Sequence, residues 1–244
     1  MTILLLAGTG EARELAKFCE MAKLPVIASL AGVTRNPLSL DIPTRSGGFG
    51  GAAGFKQYLK SKDITAILDA THPFAHQITQ RSFDIAKEMG IPFLLFERPA
   101  WTPSVDDRWI GITNEAEAAR YIPPGSKVFL ATGRQSLMKF KNLDNFEVIC
   151  RQIEPPQSSF PWPNGRFHIG TPPFSEVEEI SLFKSLSINF LVVKNAGGVA
   201  SRTKLDAARA LGITVLMLAR PKHSGALTVT SIAAAQSWLN KRKF

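Results

Sequence analysis

Two α/β domains, each a mainly parallel sheet flanked by helices, are the fold this sequence predicts, and three observations predict it. Short apolar runs alternate with helical repeats along the chain, the pattern of strand and helix units that build parallel sheets. A stop at Ile122, Pro123, Pro124, Gly125 and Ser126 is followed at once by a new apolar run, which divides the chain into residues 1–122 and 127–244. The stretch FDIAKEMGIPFLLFERP at 83–99 returns as LDAARALGITVLMLARP at 205–221, with helix, glycine stop, strand and Arg-Pro in one register. Such a repeat favours two similar sheets over a single large one.

The totals agree with this plan. A chain of 244 residues, 45% hydrophobic and 20% charged, is neither disordered nor a disulfide scaffold. Cys19 and Cys150 fall in an expected helix and an expected strand, where they read as small buried hydrophobes. The formal charge of +9 suits an anionic partner or simply good solubility. The cations are scattered beside glycine and threonine without interleaved aromatics, which fits a small polyanion and argues against nucleic acid. No apolar run approaches the ~20 residues of a membrane span, and no basic, apolar and cleavable leader pattern opens the chain. A cytoplasmic protein with no membrane partner is expected.

The first apolar run breaks into Ala7, Gly8, Thr9, Gly10, Glu11, Ala12 and Arg13, and then into a helix with Leu15, Phe18, Cys19 and Ala22 on one face. Strand, glycine turn and helix make a Rossmann-like opening whose first backbone N–H groups can hold a phosphate. Arg13 stands where the dinucleotide fingerprint has its third glycine, so the match is incomplete. A second strand at 26–30 leads to Arg35 with no acidic residue at its tip. In such a unit the tip meets the adenosine ribose, and an arginine there accommodates the 2′-phosphate of NADP. Arg35 therefore points to NADP, or is an exposed loop arginine.

Residues 45–51, RSGGFGG, include Gly48 and let a backbone approach a ligand closely, or form a mobile loop. A helix with Phe55, Tyr58 and Leu59 follows, then a strand at 64–68 that delivers Asp69, Thr71, His72 and Pro73. Ligands of open α/β sheets sit outside the carboxyl ends of the strands, which is where this loop lies. Asp69 also reads as a helix N-cap or a hydrogen bonder at the end of the sheet. His72 and His76 lack a carboxylate or cysteine at metal spacing, so no metal site is expected. A helix, a strand at 92–97, a strand at 109–112 and a short helix from Asn114 complete the first half.

The second half opens with a strand at 127–131 and a reduced copy of the first turn, Thr132, Gly133, Arg134 and Gln135. A strand at 146–153, a proline-rich loop and a capping box at Ser175 and Glu178 follow. The strand at 190–193 delivers Lys194, Asn195, two glycines, Ser201, Arg202 and Lys204. Cations at a helix start oppose its dipole, and here they gather with hydroxyl and amide groups suited to carboxylates or phosphates. A helix at 231–239 ends the pattern.

Together, LAGTGEAR at 6–13, GGFGG at 47–51, DATHPFA at 69–75, RPAW at 98–101, ATGRQ at 131–135 and KNAGG at 194–198 resemble the precorrin-6A reductase family of cobalamin biosynthesis. The motifs span positions 4–221, nearly the whole chain. The resemblance implies a two-domain enzyme that uses NADPH to reduce one double bond of the precorrin-6A macrocycle, with ligands in a cleft between the domains. Cobalt-precorrin-6A reductases look similar, so the metal status of the substrate stays open.

On that reading the first domain holds the cofactor through Gly8, Thr9, Gly10, Glu11, Arg13, Gly48, Thr71, His72 and Pro73, with Arg35 on the 2′-phosphate. The second domain offers Thr132, Gly133, Arg134, Gln135, Lys194, Asn195, Ser201, Arg202 and Lys204 to the polycarboxylate tetrapyrrole, and forms part of the cofactor cleft. His72 is the first candidate for a proton donor, against solvent or a purely structural histidine. A sensor or carrier that binds the same ligands without turnover shares these loops, as does a nucleotide-sugar transferase.

Overall fold

The computed structural model describes residues 2–32, 39–222 and 225–241. In chain order β1 (Thr2–Leu6), α1 (Gly10–Met21), β2 (Val26–Leu30), β3 (Thr44–Ser46), α2 (Gly51–Ser61), β4 (Ile64–Asp69), α3 (His76–Glu88) and β5 (Phe93–Phe96) come first. Then follow β6 (Trp109–Ile112), a 3-10 segment (Glu115–Tyr121), β7 (Lys127–Leu130) and a second 3-10 segment (Arg134–Leu143). After these come β8 (Glu147–Gln152), β9 (Gly165–Ile169), α4 (Glu176–Leu186), β10 (Phe190–Lys194), α5 (Thr203–Ala210) and β11 (Thr214–Leu218). Last are β12 (Leu227–Val229) and α6 (Ile232–Asn240).

Two compact units result, residues 1–99 with 221–244 and residues 100–220. The first holds a sheet in the order β12-β5-β4-β1-β2-β3, the second a sheet in the order β6-β11-β10-β7-β8-β9. Every pairing in both is parallel. Read from β3 and from β9, each sheet follows the order 3-2-1-4-5-6 of the doubly wound fold.

The division expected at residues 122–127 is corrected by this pairing. Trp109 to Ile112 align with Val215 to Leu218 on β11, so the segment before the proline stop belongs to the second sheet. Leu227, Thr228 and Val229 align with Leu94, Leu95 and Phe96 on β5, so the last strand belongs to the first. The prolines at 123 and 124 only end the first 3-10 segment, a stop inside the second unit. The two crossings fall at the repeated Arg-Pro, 98–99 and 220–221. The strand following each leaves its own sheet and takes the sixth place in the other.

Central strands buried on both faces account for the apolar runs. In β1, Ile3 and Leu5 pack with Leu15, Ala16 and Cys19 of α1 and Ala235 and Leu239 of α6. Leu4 and Leu6 pack instead with Phe55 and Leu59 of α2 and Ile85 and Ala86 of α3. In the second unit Phe129, Leu191, Val193 and Val215 face Phe183, Leu205 and Ala208. Cys19 and Cys150 are buried thiols, and burial pushes them up to about 11 and about 12. Just after the glycine segment, Gly54 of α2 is structural, since a Cβ on it would lie 1.9 Å from the Phe49 carbonyl oxygen.

Candidate active site

In the first unit the strand order reverses between β1 and β4, and the loops leaving these two strands meet there. Thr9 joins them. Its Oγ1 accepts from the Ala12 N–H (3.1 Å), capping α1, and donates to the Ala70 carbonyl (2.8 Å). Gly8 has φ +149, and a Cβ built on it would meet nothing within 4 Å, so a ligand can reach the turn's backbone. On the β4 side the fully buried Asp69 accepts from the Thr71 N–H (2.9 Å) and hydroxyl (2.7 Å). Asp69 thus shapes the loop, and caps no helix, because α3 begins only at His76.

His72 is half-buried, and its Nδ1 accepts from the Phe74 N–H (3.2 Å). That bond assigns the proton of the neutral ring to Nε2. Glu11 forms a 2.6 Å pair with Arg98, which returns from beyond β5 to the first turn. The Gly48 carbonyl accepts from Arg45 (2.8 Å), whose guanidinium also donates to Ser29 Oγ (2.8 Å) and lies 4.1 Å over the Phe49 ring. Gly8, Thr9, Gly10, Glu11, Thr71, His72 and Pro73 therefore share one edge. Arg13 is exposed on the first turn of α1, with Nη2 3.7 Å from where a Gly10 Cβ would stand. Arg35 lies outside the described residues.

The second unit gathers Thr132, Gly133, Arg134 and Gln135 after β7, beside Lys194 and Asn195 at the end of β10. Lys194 Nζ donates to the Thr132 carbonyl (2.9 Å), and burial lowers the pKa of this ammonium. Arg134 and Gln135 are exposed. The remaining residues carry structure. Asn195 Oδ1 accepts from the Trp101 N–H (2.8 Å) and its Nδ2 donates to the Trp101 carbonyl (3.0 Å), so both ends of the amide are spent on the chain entering this unit. Trp101 Nε1 donates to the Gly198 carbonyl (2.8 Å), and Arg220 donates to the carbonyls of Asn195 (2.7 Å) and Ala196 (3.0 Å).

Arg202 pairs with Asp206 (3.2 Å) and reaches Asp107 (3.9 Å). Burial opposes ionisation of Asp107, but Ser104's two donors and then Arg209 and Arg202 hold its carboxyl below the usual range. Lys204 donates to the Ser201 carbonyl and lies 5.5 Å over the Trp101 ring. Sequence reasoning missed Arg45, Arg98, Trp101 and Arg220 as organisers of these loops. The repeated Arg-Pro was the available signal: each of its arginines turns back onto a glycine loop of its own unit.

Against known proteins, the family described as "Precorrin-6x reductase CbiJ/CobK" matches residues 2–240. A precorrin-6A reductase of Rhodococcus erythropolis is 41% identical over 97% of this chain and 96% of its own length. A cobalt-precorrin-6A reductase of Priestia megaterium is 28% identical, covering 90% of this chain and 91% of its own. The solved structure titled "CobK precorrin-6A reductase" superposes with TM-score 0.93 at 35% identity, over 99% of this chain and 96% of that one. The chain belongs to the precorrin-6x reductase family.

Proposed function

We propose that this protein reduces a carbon–carbon double bond of metal-free precorrin-6A to give precorrin-6B, with NADPH as reductant. Reductase activity in cobalamin biosynthesis follows from the family, and the metal-free substrate from the higher identity to relatives named for it. The observation that carries the cofactor is the Gly8 turn, where the space a Cβ would fill lies open at the start of a capped α-helix. Such a start presents backbone N–H groups and a positive dipole to a pyrophosphate.

When bound, NADPH supplies a hydride to one carbon of the double bond, and the neighbouring carbon takes a proton. Thr9 holds the turn against the β4 loop, so phosphate groups and reacting ring are positioned by one hydrogen-bonded unit. Protonated to the imidazolium, which gives up the bond from the Phe74 N–H to Nδ1, His72 offers the proton from Nε2 and returns to the neutral ring. Arg35 reads the 2′-phosphate. Thr132, Arg134, Gln135 and Lys194 face the acidic arms of the macrocycle, while Asn195 and Arg202 position the loop that carries them.

The test is an anaerobic assay with precorrin-6A and NADPH, following loss of NADPH absorbance. Oxidation with formation of the reduced macrocycle is expected. Binding of both ligands without oxidation would return the protein to the carrier reading. His72→Gln should lower kcat about 100-fold, as for loss of a general acid, and remove the acid-dependent limb of the pH profile. An unchanged profile would assign the proton to solvent.

A further inference from the structure

At the carboxyl end of the second sheet, three polar residues follow three paired strand residues. Pairing joins Leu130 of β7 to Cys150 of β8 and to Val192 of β10. Gln152 and Lys194 end β8 and β10 two residues beyond Cys150 and Val192, so each continues the face of that residue. Thr132 lies just past the end of β7, two residues beyond Leu130. Lys194 Nζ reaches the Thr132 carbonyl at 2.9 Å, which ties two members together.

Thr132 and Gln152 are each only 6% exposed. Yet Thr132 Oγ1 and both ends of the Gln152 amide have no hydrogen-bonding partner in the described residues. Most buried polar side-chain atoms are paired, and leaving one unpaired costs about 1–3 kcal/mol. The neighbouring Arg151 is paired through both terminal nitrogens, although its Nε is unpaired among the described residues. Arg151, on the opposite face, makes two 2.6 Å bonds to Glu179 between the rings of Phe129 and Phe174. Burial lowers the pKa of the Lys194 ammonium, with the Glu115 carboxylate opposing, and the ammonium is the cation nearest Thr132.

We infer that Gln152, Thr132 and Lys194 form a carboxylate subsite for one acidic arm of the tetrapyrrole, with Gln152 as a specificity-determining residue. The three contribute an amide N–H, a hydroxyl and an ammonium, all donors to a carboxylate, and water carried with the arm returns a donor to Gln152 Oε1. Only strand register brings Gln152 to this place, 17 residues after the turn that the ATGRQ motif marks. The inference rests on the second unit being the substrate side.

The test measures affinity of the full chain for the stable reduced tetrapyrrole without NADPH, beside KM for each substrate and Tm. Gln152→Leu should weaken tetrapyrrole binding and raise KM for precorrin-6A about tenfold, the worth of a hydrogen bond to a charged group, and leave KM for NADPH unchanged. Its Tm should hold or rise, because an unpaired amide leaves the interior. Gln152→Glu should weaken binding further by setting carboxylate against carboxylate. Thr132→Val, nearly isosteric, gives an independent reading if a Gln152 variant does not fold. Tetrapyrrole affinity within twofold of wild type in Gln152→Leu or Thr132→Val would overturn the subsite and leave the amide to an ordered water. A wild-type chain without tetrapyrrole affinity would instead overturn the substrate reading of the whole unit.

Discussion

Two residues beyond the last paired positions of the central strands, the first unit has Ala31, Gly8 and Thr71, where the second has Gln152, Thr132 and Lys194. The strand order is the same, so the contrast lies in the materials. The first row is small and leaves the backbone open beside a true α-helix capped by Thr9. The second is filled with long polar side chains beside a 3-10 segment that has no side-chain cap. Aligned peptide dipoles can hold a phosphate without any cation. Where the helix is replaced by a 3-10 segment, charge has to come from side chains such as Lys194. One fold thus serves two anions by two means.

The largest effect is expected from making the rows alike. Gly8→Thr gives the first unit the residue of the second, filling the open space at a backbone angle that favours glycine. NADPH affinity should fall about 100-fold, equivalent to an overpacking cost of about 3 kcal/mol, while tetrapyrrole affinity is kept. Titration with each ligand separately checks this, and parallel loss of both would show that the rows do not divide the labour.

Next come the ion pairs near these edges. Glu179 is 2% exposed at its side chain and Glu11 24%. Glu179→Ala should cost about 3–5 kcal/mol, because Arg151 is left buried and unpaired. Glu11→Ala should cost about 1 kcal/mol or less, solvent screening having already weakened the pair. Urea unfolding of the two variants measures the gap.

The smallest effect concerns His168, on β9 of the second unit. Burial and then Arg151 hold its pKa below 6.5, with Glu179 opposing. Between the folded pKa and 6.5 the unfolded chain binds more protons, so stability rises with pH through that window and is lost as pH falls. His168→Gln should flatten that slope, as read from Tm against pH.

Much of this architecture was legible in the residues. The runs in β1, β4, β7 and β10 and the glycine turns after β1, β7 and β10 carry local signals, and the recurring Arg-Pro announced two related sheets. Edge strands were not legible: Thr44–Ser46 and Leu227–Val229 are three residues long and have little burial to impose a pattern. Sheet membership of β6 and β12 was hidden as well, since pairing partners over 100 residues apart leave no periodicity. At the site, Asn195 and Arg202 looked like ligand contacts because residue type reveals chemistry but not what has already claimed it. Asn195's partner, the Trp101 backbone, lies far away in sequence, as does Asp107, the second carboxylate near Arg202 after Asp206 one turn on.

The exchange of sixth strands also sets a timetable for synthesis. When residues 2–96 have been made, β5 still lacks its neighbour and the α1 face of the sheet still lacks Ala235 and Leu239. The second sheet has all six strands once residue 218 is made, whereas the first waits for residues 227–240. The half that begins first on the ribosome is finished last. A chain broken off after β11 would therefore expose an unpaired edge in its oldest part, and surveillance of incomplete chains would meet the defect there.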